Sequence, residues 1–297
     1  VAEIAELFRP DAIKLVLREK ETARALGLAD IAKAREAVRL RAGGSAPGAK
    51  LHVLAVGVDD YGDKAKSLKL DYAARDAKFV RDALDGEKGG LYAEVKSRLI
   101  TDQDATNKNI LRALKDMRTA MAAGEQKDAA VIHISAHGLM ADGQFHLLTH
   151  GVNLRDDADL QTDALPIGKL QHELLELAKL GRVLVVLDAC HSGALSNLGT
   201  MADPKRLAKE LAVDARIAVL AASAVDGTAK ESKSLGHGVF TAAVLEALDR
   251  ADDNKNGVIT VGEFAGYAKA RVRTLNPDQE PEVTMLHDGD LFTARVR

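Results

Sequence analysis

The sequence holds one cysteine, Cys190, in the string Ala189-Cys190-His191-Ser192-Gly193 that follows the apolar run VLVVLD (183–188). A thiol is a weak nucleophile until ionised. An imidazole within hydrogen-bond reach can take its proton and later return one to a leaving amine. The run VIHIS (131–135) leads to such an imidazole in Ala136-His137-Gly138, 53 residues before the cysteine. Small residues surround both groups and leave room for a substrate backbone. Gly138 would let its N–H approach an oxyanion, with the N–H of Cys190 as the second donor of an oxyanion hole. Taken singly, a lone cysteine beside an apolar run is more often a small buried hydrophobe, and a lone histidine a satisfied loop residue. Their joint placement at two strand ends is what points to nucleophilic catalysis. His133, inside its run, reads as core, and His191 as a loop residue that shapes the cleft.

Both runs belong to an alternating series. LHVLAVGV (51–58), VKSRLIT (95–101), DAAVIHIS (128–135), RVLVVLD (182–188) and ARIAVLAAS (215–223) read as strands. Helical periodicity falls over 70–84, 105–123, 168–181, 238–251 and 261–275. The strands are continuous apolar runs, as expected of a parallel sheet covered on both faces, so the fold class is α/β. In a parallel sheet the strand carboxyl ends share one edge, and ligands bind there. Neighbouring strands lie about 4.8 Å apart. If 131–135 and 183–188 are neighbours, His137 and Cys190 face one cleft. Residues 1–42 read as a charged, Ala/Leu-rich helical extension and 43–49, GGSAPGA, as a flexible linker. The division is therefore 1–49 and 50–297.

Composition narrows the function. A net charge of −3 with 29% charged residues gives no basic face, which argues against nucleic-acid binding. Aromatics at 3%, with no Trp, argue against stacking platforms for single strands. No apolar run approaches the ~18 residues of a membrane helix. A single cysteine excludes a disulfide framework and a Cys-rich zinc site. The opening VAEIAELFRP lacks a signal-peptide pattern. The simplest expectation is a cytoplasmic chain, seen as a fragment or trimmed at its front.

SAHG (135–138) and DACHSG (188–193) resemble the metacaspase branch of the caspase-like cysteine peptidases, including its bacterial members. LHVLAVGVDDYGD (51–63), LDYAARDA (70–77), VLAASAVDGTAKES (219–232) and HGVFTAAVLEAL (237–248) are similar to further family motifs, in the family's order. The resemblance spans about residues 50–290. It implies a caspase-like fold, with a large-subunit part over about 50–195 and a small-subunit part over about 213–297. It also implies a cysteine endopeptidase with Cys190 as nucleophile and His137 as acid/base. Metacaspases cut after Arg or Lys, and the matching specificity-pocket positions are Asp76, Ser135 and Asp188. An Asp-specific caspase would need an Arg where Leu70 stands. A buried carboxylate pair suits a cationic side chain and repels an anionic one. Outside the resemblance, Asp188 would read as a strand-end cap and Asp76 as part of a solvated helix face. Lys205, Arg206, Lys209 and Arg216 follow the cysteine loop, within such an enzyme's own specificity, so self-processing is expected there. A stress, defence or cell-death pathway is the family setting. The alternative is a non-catalytic caspase-like interaction module, whose sign would be loss of the Cys or His, and both are present. A Ser192 hydrolase lacks the G-x-S-x-G elbow.

The chemistry requires no cofactor. DDNKNGVITVGE (252–263) nevertheless places Asp252, Asn254, Asn256, Gly257, Ile259 and Glu263 at EF-hand positions, which makes calcium an expected ligand. The competing reading is an Asx-rich turn between two helices. The family's own calcium cluster lies between its His and Cys. Here Asp156, Asp157, Asp159 and Asp163 fall in that interval, with ALPIG (164–168) where paired aspartates are expected. LFRPDAIKLVL (7–17) resembles the segment joining a β-propeller to a caspase domain in some bacterial fusions, which suggests an upstream recognition module. The other reading is a helical extension packed on the domain. The expected partners are thus peptides with Arg or Lys before the cut, without nucleic acid or membrane.

Overall fold

The computed structural model describes residues 48–88, 91–124, 127–141, 143–154, 157–190, 208–209, 211, 216–222, 231–255, 257–285 and 293–295. Residues 1–47, which hold the helical extension expected over 1–42 and most of the linker expected over 43–49, lie outside the described residues, as do Asp156, His191, Ser192, Lys205 and Arg206.

The central strands are β1 (Lys50–Gly57), β2 (Glu94–Thr101), β3 (Ala129–Ala141), β6 (Arg182–Cys190), β7 (Ile217–Ala221) and β11 (Glu282–Met285). Their order is β11-β7-β6-β3-β1-β2, parallel throughout except for β11 on β7. The expected mostly parallel α/β sheet, with helices on both faces, is what the chain forms. The helices that pack on the sheet are α1 (Ala73–Asp85), α2 (Asn107–Ala122), α4 (Ile167–Ala178), α5 (Val239–Arg250) and α6 (Val261–Leu275), with the shorter α3 over Asp157–Asp163.

Each strand divides its side chains by parity. Leu54, Val56, Ile132, Ile134, Val183 and Val185 join α2 and α4 in one core. Leu51, Val53, Val131, Leu184 and Val186 join α1, α5 and α6 in the other. A strand buried on both faces is apolar at every position, which is why these runs show no alternation.

Two departures from the sequence reading affect the site. Strand β3 runs on past Ser135 to Ala141 because β4 (Gln144–Leu147) pairs antiparallel with its extension, from Gly138↔Leu147 to Ala141↔Gln144. His137 therefore lies within a strand rather than in a loop. The second departure is the short hairpin of β8 (Glu231–Ser232) and β9 (His237–Gly238), too brief for a periodic signal.

Helix α1 sits directly on the end of β1. A Cβ added to Gly57 would lie 2.2 Å from the Ala73 carbonyl oxygen. The added methyl would meet backbone, which has no rotamer with which to yield. Gly57→Ala is expected to cost at least ~2 kcal/mol of stability by urea denaturation. Gly266 in α6 offers a contrast, since nothing lies within 4 Å of its Cβ position. Gly266→Ala is expected to raise stability by about 0.5–1 kcal/mol.

His133 is fully buried, and neither ring nitrogen has a hydrogen-bond partner. Burial drives its pKa down to about 3. The unfolded ring takes a proton near 6.5 while the folded ring resists it, so unfolding binds a proton between those pH values. Stability therefore falls as pH drops through 6.5, at up to about 1.4 kcal/mol per pH unit. His133→Leu is expected to flatten this acid limb, measured as the urea midpoint between pH 7.5 and 5. A limb as steep as the wild type's would refute the assignment.

Candidate active site

The register of β3 against β6 carries the site. Ser135 pairs with Asp188, Ala136 with Ala189 and His137 with Cys190. On the other side of β3, Gly57 pairs with Ser135. One row across the sheet edge thus runs Gly57, Ser135, Asp188, and the sulfur-bearing and imidazole-bearing residues are strand neighbours two positions further along.

His137 is buried and held from three directions. Its backbone N–H donates to the Tyr61 hydroxyl at 2.7 Å. Its ring stacks on Tyr61, with centroids 5.3 Å apart and planes inclined by 29°. Its Nε2 lies 2.8 Å from the Leu68 carbonyl oxygen. A carbonyl only accepts, so Nε2 carries the hydrogen. In the neutral ring Nδ1 is then the basic nitrogen. Neither partner was anticipated. Leu68 contributes through its backbone, which leaves no trace in residue type, whereas Tyr61 falls in the quoted string VDDYGD. Gly138 has a packing duty as well: a Cβ there would sit 2.2 Å from Cζ of Phe145 on β4.

Next to this row, two carboxylates are buried. Asp76, on the first turn of α1, is 1% exposed, so it lies on no solvated helix face. Asp188 is 6% exposed. The point where a Gly238 Cβ would stand is 3.1 Å from Oδ2 of each. Donors come from the segment entering α5. The Gly238 N–H donates to Asp76 Oδ2 at 2.9 Å, and the Thr241 hydroxyl to Asp188 Oδ2 at 2.8 Å. His237 Nδ1 lies 2.5 Å from Asp76 Oδ1. Burial, and then the charge of Asp188, push the Asp76 carboxyl up to about 8. Two further acids rim the group. Glu231 accepts the N–H groups of Asp71 and Tyr72 and is shifted upward, mainly by burial. Asp59 is pushed up to about 6 by burial, against hydrogen bonds from the Ala74 and Ala73 backbone. His237 and Thr241 lie in the quoted string HGVFT. Glu231 and Asp59 also lie in quoted strings, those over 219–232 and 51–63.

The loop over 252–263 stands apart. Asp252 accepts the Gly257 N–H at 2.9 Å, and Lys255 and Gly257 adopt left-handed φ of 57° and 85°. One oxygen of Glu263 accepts the Thr260 N–H and hydroxyl, each at 2.9 Å, closing a capping box on α6. Its other oxygen takes the Asn254 side-chain amide. The would-be ligands thus bond one another as caps and turns. Asn256 lies outside the described residues. Among the described residues no three His, Cys, Asp or Glu converge as a metal cluster. Asp252, Asn254 and Glu263 are thus engaged in turn and cap contacts.

The mostly parallel sheet with helices on both faces is that of a caspase-like α/β fold. The peptidase C14 family model, described as the caspase domain, matches residues 50–288, and the chain belongs to that family of cysteine peptidases. Among solved structures, a Geobacter sulfurreducens protein known from its crystal structure is 20% identical. The alignment covers 84% of this chain and 94% of that one, with a TM-score of 0.54, a likeness of fold. No curated protein matches the chain. Among the described residues, no helix is long and apolar enough to cross a membrane.

Tyr61→Phe removes the acceptor of a buried N–H and is expected to cost about 1–3 kcal/mol of stability. Unfolding free energies from urea titrations check this, and an unchanged value would show that the hydroxyl does not hold His137.

Proposed function

We propose that the chain is a cysteine endopeptidase of the metacaspase branch that cuts after Arg or Lys, with Cys190 as nucleophile and His137 as acid/base. The observation that carries the reading is the β3–β6 register, which pairs His137 with Cys190 beside the two buried carboxylates.

The substrate lies across the sheet edge with its basic side chain between Asp76 and Asp188, next to Ser135. A guanidinium or ammonium there supplies the positive charge that the neutral donors, the Gly238 N–H and the Thr241 hydroxyl, do not. His137 takes the thiol proton through Nδ1, the nitrogen that the Leu68 carbonyl leaves basic. The thiolate attacks the scissile carbonyl carbon, and the oxyanion is met by the N–H groups of Gly138 and Cys190. The imidazolium then protonates the leaving amine, the C–N bond breaks, and a thioester remains. Water, deprotonated by the same ring, hydrolyses the thioester and restores the thiol. The basic residues after the cysteine loop, Lys205, Arg206, Lys209 and Arg216, make this stretch a substrate for the enzyme itself. Stress, defence or cell-death proteolysis in the cytoplasm is the setting this activity suits, with an upstream module choosing targets.

The test is a panel of fluorogenic peptides that differ only before the cut (Arg, Lys, Asp, Ala), each with calcium and with a chelator. Arg and Lys peptides are expected to exceed Ala and Asp by at least about 30-fold, the scale of a buried charge pair. Rates are expected to survive chelation. Cys190→Ala and His137→Ala are each expected to lower kcat by about 10³-fold or more. Faster turnover of the Asp peptide, or activity surviving in Cys190→Ala, would overturn the reading. A Cys190→Ala protein recovered as two fragments would refute self-processing.

A further inference from the structure

We propose that His237 sets the charge of the specificity pocket by sharing one proton with Asp76, and that an incoming basic side chain expels this proton, so that preference for a cationic over a neutral side chain grows with pH. The proposal rests on the basic-residue specificity argued above and deepens it.

Asp76 is not a free anion waiting for a cation. Its Oδ2 accepts the Gly238 N–H, and its Oδ1 faces His237 Nδ1 at 2.5 Å. With Asp188 so close across Gly238, two bare carboxylates would repel each other in a buried space. Keeping one proton between Asp76 Oδ1 and His237 Nδ1 leaves that pair neutral and Asp188 as the single facing charge. The surroundings favour this state. Burial and Asp188 push Asp76 up to about 8, while burial and then Arg75 push His237 down.

Among the described residues, the other charged groups around the pair are Arg75 on α1, Glu231 on β8 and Asp59 beyond β1. Glu231 is engaged by the Asp71 and Tyr72 amides. Arg75 Nη1 lies 3.2 Å from the Cβ position of Gly236 in the β8–β9 hairpin, and its guanidinium stands 5.4 Å from the Phe79 ring centroid. The Phe79 ring meets His237 edge-on, with centroids 5.1 Å apart. His237 is thus held between Asp76 and Phe79 with its side chain 15% exposed, in contact with solvent as a proton exit requires.

The exchange balances. A neutral Asp76–His237 pair plus a substrate cation becomes an Asp76 carboxylate bound to that cation, a neutral His237, and one proton released to water. By linkage, a cation that lowers the pair's proton affinity is itself bound more tightly as the proton leaves. Affinity for Arg then rises with pH until the empty pair has lost its proton. A neutral side chain gains nothing.

Two peptides, identical except for Arg or citrulline before the cut, isolate the effect. Citrulline keeps the shape and loses the charge, and the ionisations of Cys190 and His137 cancel in the ratio of their kcat/KM values. Between pH 6 and 8.5 the ratio is expected to rise at least fivefold, through KM rather than kcat. His237→Gln, which can bond Asp76 without titrating, is expected to shift the midpoint of that rise down by more than one pH unit. A ratio near one at every pH would overturn the basic-pocket reading and this proposal with it. A large ratio that does not change with pH, or a midpoint unmoved in His237→Gln, would overturn this proposal alone. The native pocket gives a second reading: Arg peptide titrated into Cys190→Ala in buffers of different ionisation heat should release 0.5–1 proton at pH 7. Release of none would overturn the proposal.

Discussion

Asp76 and Asp188 lie buried on either side of Gly238, and the arrangement at the carboxyl edge of the sheet answers the cost of keeping them there. An uncompensated buried charge costs several kcal/mol. Each carboxylate instead meets the first turn of a helix. Asp76 is a member of that of α1, and Asp188, on β6, accepts the Thr241 hydroxyl from that of α5, so the positive ends of two helix dipoles face them. The Gly238 N–H and His237 supply the remaining contacts to Asp76. All of these donors come from five consecutive residues, 237–241. That segment contacts both carboxylates and also begins a helix of the second core, so their hydrogen bonding is tied to the packing of α5.

Much of this was legible in the residues. The five runs read as strands coincide with β1, β2, β3, β6 and β7, while β11 was not among them, and the periodicity over 261–275 coincides with α6 as found. Cys190 and His137 stood out by type and setting, and their strands are indeed neighbours. What escaped reading has common causes. The continuation of β3 to Ala141 depends on β4, a partner that forms only once the chain has turned back. The β8–β9 hairpin has two residues per strand, below any periodic signal. The Leu68 carbonyl orients His137 without a side chain. The contact of His237 with Asp76 joins residues 161 positions apart, and the sequence gives each an ordinary local explanation.

The loop over 252–263 shows how one set of residue types serves two purposes. Asp, Asn and Glu are calcium ligands because they offer oxygens at short range, and for the same reason they cap helices and close turns. In this fold Glu263 is committed to the amino end of α6 and Asp252 to the Gly257 amide. The strand pairing of Val258–Thr260 with Thr293–Arg295 holds the loop between its helices. Local bonding accounts for the left-handed turn that the glycine permits, so the spacing alone does not call for an ion.

The chemistry of the edge is tied to the core beneath it through parity. Val131, His133, Ser135 and His137 occupy alternate positions of β3, and Leu184, Val186, Asp188 and Cys190 those of β6. Val131, Leu184 and Val186 pack with α1, α5 and α6. A slip of one residue in either strand would send its apolar set to the wrong core and its site residues to the wrong face. No rearrangement of the edge loops could restore both. The separation of His137 from Asp188 is therefore fixed by apolar packing that extends from Val131 and Leu184 to the edge. Loops can vary around the edge, but the relation of His137 and Cys190 to Ser135 and Asp188 is set by the register of two buried strands.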